Sequence, residues 1–217
     1  MKSDSEIKAD VDAELAWSPE IDATDIATKV TGGVVTLTGF VHTYYEKGRA
    51  EAGVKQVAGV TGVANDIEVR LGIASIPTDP EIAREAVDTL RRECPWAVDA
   101  VRPAVHKGLV TLEGSVQWQY QREKVASAIA KIKGVTGVFN ALNVQPAVLP
   151  GDIKHRIEDA FRRSAAVDAS RISVEANGSE VILRGEVSSW SERDEAQATA
   201  WSAPGVTHVR NTLSIKI

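Results

Sequence analysis

One unit is written three times along this chain of 217 residues. Gly39, Gly114 and Gly185 each stand inside a strand-like run: Leu37-Thr38-Gly39, Leu112-Glu113-Gly114, Leu183-Arg184-Gly185. Gly59, Gly134 and Gly205 follow, each 20 residues later and each leading into Val-Thr. Asn65, Asn140 and Asn211 come six residues further on. The offset between copies is 75 residues and then 71. Four markers held in register across three copies are a repeat, and a repeat overrides the length-based expectation of one or two domains. The expected domains are 1–72, 78–146 and 149–217. Units of roughly 70 residues lie near the lower size limit for independent folding, so the copies are expected to lean on one another.

Each copy opens on apolar residues spaced by four: Ile7, Val11 and Leu15; Ile82, Ala86 and Leu90; Ile153, Ile157 and Phe161. That spacing gives a one-sided amphipathic helix, with Asp4, Asp79 and Asp152 as expected N-caps. A first strand is expected from Ile26, Val101 and Ile172. Tight turns follow at Gly32-Gly33, Gly108 and Asn177-Gly178. The second strand alternates: Val35, Leu37, Gly39, Val41, with its equivalents at 110–116 and 181–187. A glycine on that apolar row predicts a close approach, most simply by a helix. A second helix, about Tyr45 to Ala58 in copy one, is expected to end at the glycine of the Gly-Val-Thr motif. A final strand carries Val60, Val63, Ile67 and Val69 or their equivalents. The segments Leu71–Thr78 and Gln145–Gly151 carry prolines and read as stiff spacers. The fold class is α+β: three tandem αββαβ units, each a three-stranded mixed sheet with two helices on one face.

These motifs, Val-x-Leu-x-Gly-x-Val, a helix, then Gly-Val-x-x-Val-x-Asn-x-Leu-x-Val, resemble the BON domain. Copy one departs only in Ile67, where the other copies have Leu142 and Leu213. The resemblance implies an αββαβ fold and a bacterial binding module rather than an enzyme. It further implies links to osmotic or envelope stress, to anionic phospholipid surfaces and to potassium sensing. The potassium-sensing relative adds a LysM domain and many relatives carry a signal peptide; neither is found in this sequence.

The remaining residues narrow the chemistry. His42, His106, His155 and His208 fall at four non-equivalent places, so they form no convergent metal or acid–base set. The single cysteine, Cys94, has no partner motif. Neither a phosphate-cradling glycine loop nor a calcium loop is present; Glu20, Asp22 and Asp25 read as a solvated acidic turn. No enzyme activity, cofactor or metal is expected. Asn65, Asn140 and Asn211 sit where asparagine is disfavoured, and their amides are expected to tie the last strand to a neighbouring turn. Tyr44, Tyr45, Trp118, Tyr120 and Trp190 gather at the start of the second helix. They form the candidate contact surface, or pack one copy on the next; Trp17 and Trp96 near the end of the first helix share that ambiguity.

Net charge is −5 and unevenly spread. Residues 4–70 hold 6 basic against 12 acidic side chains, 80–146 hold 9 against 7, and 147–217 hold 9 against 10. An acidic first copy disfavours nucleic acid as a partner. The leading expectation is a non-catalytic binding or scaffold protein of the stress response, with a protein partner. A monovalent-cation sensor and a peripheral binder of anionic lipid through copy two are the alternatives. Met1-Lys2-Ser3-Asp4 begins no apolar leader, and no segment is long and apolar enough to span a bilayer, so the expected location is the cytoplasm.

Overall fold

The computed structural model describes residues 2–70, 77–146 and 152–216. The residues 71–76 and 147–151, on which the stiff-spacer reading mostly rests, lie outside the described residues. The first copy runs α1 (Asp4–Trp17), β1 (Ile26–Thr31), β2 (Val34–Val41), α2 (Tyr44–Gln56), β3 (Gly62–Val69). The second runs α3 (Asp79–Glu93), β4 (Val101–His106), β5 (Leu109–Val116), α4 (Gln119–Ala130), β6 (Gly137–Asn140), β7 (Asn143–Val144). The third runs α5 (Ile153–Arg163), β8 (Ile172–Asn177), β9 (Glu180–Val187), α6 (Trp190–Trp201), β10 (His208–Asn211), β11 (Ser214–Ile215). By compactness the chain divides into two units, residues 1–114 with 123–142 and residues 115–122 with 143–217.

In every copy the second strand is central. It pairs antiparallel with the first through a two-residue turn, and parallel with the last across the helical crossover. The last strand is continuous in copy one and is broken after Asn140 and Asn211 in the others. Helix and strand bury the expected rows: Ile7, Val11, Leu15, Val35, Leu37, Val41, Ala50 and Val54 in copy one. In copy three the larger Phe161 stands where Leu15 and Leu90 stand, and Ala200 replaces Val54 and Ile129. The larger ring offsets part of the volume lost at Ala200. Among the described residues no helix is long and apolar enough to cross a membrane.

Four local expectations are corrected. The close neighbour of Gly39, Gly114 and Gly185 is backbone, not a helix. A Cβ on any of them would overlap the carbonyl oxygen of Asp25, Ala100 or Arg171, just ahead of the partner strand. Their φ of 117°, 126° and 132° is also glycine's own territory. Second, Gly59, Gly134 and Gly205 lie beyond the helix ends, at the third position of a four-residue turn closed by Val60, Val135 and Val206 N–H groups. A φ of 94–97° there suits a type II turn, and Pro204-Gly205 is its sequence signature.

Third, Asp4 and Asp79 do not cap their helices. Ser3 and Thr78 do, each in a capping box with Glu6 or Glu81; of the three expected aspartates only Asp152 serves as a cap. Asp4 instead accepts the N–H groups of Gly32 and Gly33 at 2.8 and 2.9 Å, and Asp79 those of Lys107 and Gly108 at 2.7 and 2.9 Å. The first helix is thereby pinned to the β-hairpin. In copy two the pin holds Lys107 at φ 51°, a left-handed conformation that a lysine rarely adopts. Fourth, in copy three the hairpin turn is Gly178-Ser179, one residue later than expected.

Two predictions follow from these contacts. Gly114→Ala costs about 3 kcal/mol, since even one methyl group meets backbone that cannot yield. Its urea midpoint falls well below that of a surface Ala control, and an unchanged midpoint refutes the account. The Gly108 and Lys107 amides, in that order, lower the Asp79 pKa, and those of Gly33 and Gly32 lower that of Asp4. Stability from these carboxylates is therefore full above the ordinary aspartate range and is lost as pH falls through the depressed values. Asp4→Asn with Asp79→Asn flattens the acid limb of a plot of urea midpoint against pH.

Candidate functional site: three interhelical clefts

A cleft opens between the first helix and the end of the second helix in each copy. In copy one it measures about 500 Å³ and is lined by Lys2, Asp10, Ala13, Glu14, Trp17, Val57 and Ala58. In copy two, at about 540 Å³, Glu81, Glu85, Arg92, Glu93, Lys131 and Lys133 ring a floor of Ile82, Ala128 and Ile132. In copy three, at about 520 Å³, Arg156, Asp159, Arg163, Thr199 and Ser202 surround Ile157 and Ala203. The repeat register makes these one site. Asp10, Glu85 and Arg156 are equivalent, as are Trp17, Arg92 and Arg163, and Val57, Ile132 and Ala203. The frame is kept while the rim changes sign. Sequence reading passed over the clefts because their residues are spaced like any solvated helix face.

The aromatic residues singled out in the sequence do not form one repeated surface. Tyr44, Gln119 and Trp190 are register equivalents, whereas Trp118 corresponds to the caps Thr43 and Ser189. Tyr44, Tyr45, Trp118 and Trp190 are half-buried, and Tyr120 is 62% exposed. Tyr45 donates its hydroxyl to Glu20 at 2.7 Å, and Arg49 pairs with the other Glu20 oxygen at 2.9 Å. The Lys131 ammonium of copy two lies 4.7 Å from the Tyr45 ring centre. The Tyr45 hydroxyl, then Arg49 and Lys131, hold the Glu20 carboxyl below its usual range. Glu20 is thus part of a knot between copies one and two, not of a free acidic turn. The Arg193 guanidinium lies 5.3 Å from the Trp190 ring centre.

The shared asparagines fasten the last strand to the second helix rather than to a turn. Asn65 donates to the Lys47 carbonyl and Glu51, and Asn211 to the Arg193 carbonyl and Gln197, at 3.0–3.3 Å. Their carbonyl oxygens, with that of Asn140, accept the N–H two residues on. This doubles as an Asx-type turn at the point where the strand breaks in copies two and three. Among the described residues no group of three or more His, Cys, Asp or Glu side chains is placed to hold a metal ion. Cys94 is buried, which pushes its thiol pKa up and keeps it protonated.

A profile described as "BON domain" matches this chain three times, over residues 3–70, 78–146 and 151–217. The chain belongs to the BON domain family. Osmotically-inducible protein Y of Escherichia coli (strain K12) is 32% identical over 148 residues, 65% of this chain and 73% of that protein. Among solved structures, CdsD, a structural protein of the type III secretion system of Chlamydia trachomatis, aligns over 97% of this chain and 92% of its own, with a TM-score of 0.24 and 13% identity. The C-terminal domain of CdsD aligns over 100% of both chains with a TM-score of 0.26 and 13% identity.

One further residue is common to the three BON units. Glu46, Gln121 and Glu192, three positions after the cap, reach back to the end of the second strand. Glu46 accepts the His42 N–H at 3.2 Å. Gln121 accepts the Gln117 and Trp118 N–H groups at 3.0 and 3.1 Å. Glu192, only 8% exposed, accepts from Ser188 at 2.7 Å and, with its other oxygen, from Asp168 at 2.9 Å. The signal was available: Thr43-x-x-Glu46 and Ser189-x-x-Glu192 carry the capping-box pattern, although each glutamate bonds the residue before the cap rather than the cap itself. Burial works to raise the Glu192 pKa, but the Ser188 and Asp168 amides outweigh it and lower it overall. Its stabilisation therefore holds above the ordinary glutamate range and fades as pH falls through the lowered value. Glu192→Gln keeps one oxygen acceptor, as Gln121 does, but turns an NH2 toward one amide. It costs about 1–2 kcal/mol at pH 7, and the gap in urea midpoint to the parent narrows on acidification; a constant gap refutes the assignment.

Proposed function

We propose that this BON protein is a non-catalytic binding protein of the osmotic stress response that presents three differently charged contact sites on one repeated frame. The observation that carries this reading is the contrast among the clefts. Buried and hydrogen-bonded residues repeat from copy to copy, while the rim runs from Asp10 and Glu14 to Arg156 and Arg163. Solvent-facing positions that change charge on a kept frame are what separate contact sites require. The name of the Escherichia coli relative supports the osmotic setting. The expected place of action is the cytoplasm.

A second reading, docking on anionic phospholipid, draws support from copy two. Tyr120 and Phe139 are 62% exposed there and Trp96 is 40% exposed. Exposed aromatics on the copy with the positive charge balance suit an anionic headgroup layer.

A photo-crosslinker introduced at Lys133, on the rim of the middle cleft, tests the leading reading. After an osmotic upshift it captures a protein partner, and Glu85→Arg lowers the yield about tenfold without moving the melting temperature. Flotation of the full chain with anionic vesicles, together with an unaltered crosslink pattern in the variant, transfers the assignment to lipid. Matched potassium and sodium titrations are expected to give equal melting temperatures; a rise specific to potassium favours a cation sensor.

A further inference from the structure

The first and third clefts carry complementary groups. On α1, five carboxylates stand against Lys8. On α5, Lys154, Arg156, Arg162 and Arg163 stand against Glu158 and Asp159. Many of these are matched locally, as in Lys8 with Asp12 and Arg162 with Asp159. On the α1 rim Asp10 pairs with Lys2 at 2.6 Å, both side chains nearly half exposed, so the carboxylate stays open to a second cation. Among the described residues Glu14 makes no ion pair, and Trp17, the last residue of α1, is 84% exposed. Across the repeat, Arg156 and Arg163 are exposed guanidinium groups with no ion pair among the described residues.

The repeat register gives the two rims one spacing. Asp10 and Trp17 are seven residues apart, as are Arg156 and Arg163. Seven residues are about two helical turns, or about 10.5 Å along the axis. An indole face attracts a guanidinium, and a carboxylate pairs with one, so both arginines find a match on the other rim. Trp17 is the largest apolar surface on either rim, and the exchange of water for an arginine face would cover it.

We propose that the α1 rim of one chain docks on the α5 rim of a second copy of this chain. Trp17 stacks on one arginine while Asp10 and Glu14 face the other. The two surfaces differ, so the contact is head-to-tail, and each added chain leaves one rim of each kind free. This rests on the reading of the clefts as contact sites and names the partner for two of them. A contact this small and charged is weak, with association expected near about 0.1 mM protein.

Sedimentation velocity of the full chain from about 10 μM to about 1 mM tests it. At low salt the average mass rises with concentration above the 23.3 kDa of one chain, and at about 0.5 M salt it returns to that value. Trp17→Ala, and separately Arg156→Glu with Arg163→Glu, each weaken association at least about tenfold. Mixing the two variants gives a one-to-one pair and nothing larger, because each supplies the rim that the other lacks. Unchanged urea midpoints show that both variants are folded. A chain that stays monomeric at every concentration, or variants that associate as the parent does, overturns the proposal. Both variants leave Glu85 and Lys133 intact, so crosslinking at the middle cleft reports separately on the wider reading.

Discussion

Each unit depends on its middle strand being approached closely from one side while it is covered on its inner face. Val35, Leu37 and Val41 reach zero or near-zero exposure only because two helices lie over one face of three strands. A domain of about 70 residues has little core to spare, so polar fastenings matter more than in a larger one. Here they recur at three levels. Asp4 and Asp79 hold the first helix to the hairpin, Asn65 and Asn211 hold the last strand to the second helix, and Glu46, Gln121 and Glu192 hold the second helix to the strand before it. In each a side chain accepts from or donates to backbone that the regular ladders leave free.

The architecture was legible because its signals are periodic. Spacing by four at Ile7, Val11 and Leu15 and by two at Val35, Leu37 and Val41 states which face is buried. Glycine in register announced a close approach. What came close was not legible, because a carbonyl oxygen such as that of Ala100 has no sequence signature. The aspartates misled for a related reason. An acidic residue at a helix start fits a cap, a first-turn charge or an anchor for a distant turn equally well, and only the placement of Gly108 relative to Asp79 decides.

The candidate site was the least legible part. Aromatic residues draw attention because they are scarce, at 5% of the chain. Tyr45 proved to belong to a contact between copies, with Glu20 and Lys131. The clefts are made of residues that any exposed helix carries. They emerge only when three copies are laid over one another and Asp10, Glu85 and Arg156 fall on one position. A repeat therefore supplies its own control: the constant positions report folding, and the varying ones mark where the copies part.

The swap of bulk in copy three has a consequence for biosynthesis. Three similar units joined in tandem are prone to exchange helices while the chain emerges. Phe161 shares one buried core with Ala196 and Ala200, and a leucine helix from another copy would fill less of it. Conversely, α5 placed on copy two would press a phenyl ring toward Ile129. The mismatch penalises assembly of the last unit from borrowed parts, so each helix is steered to the sheet encoded alongside it.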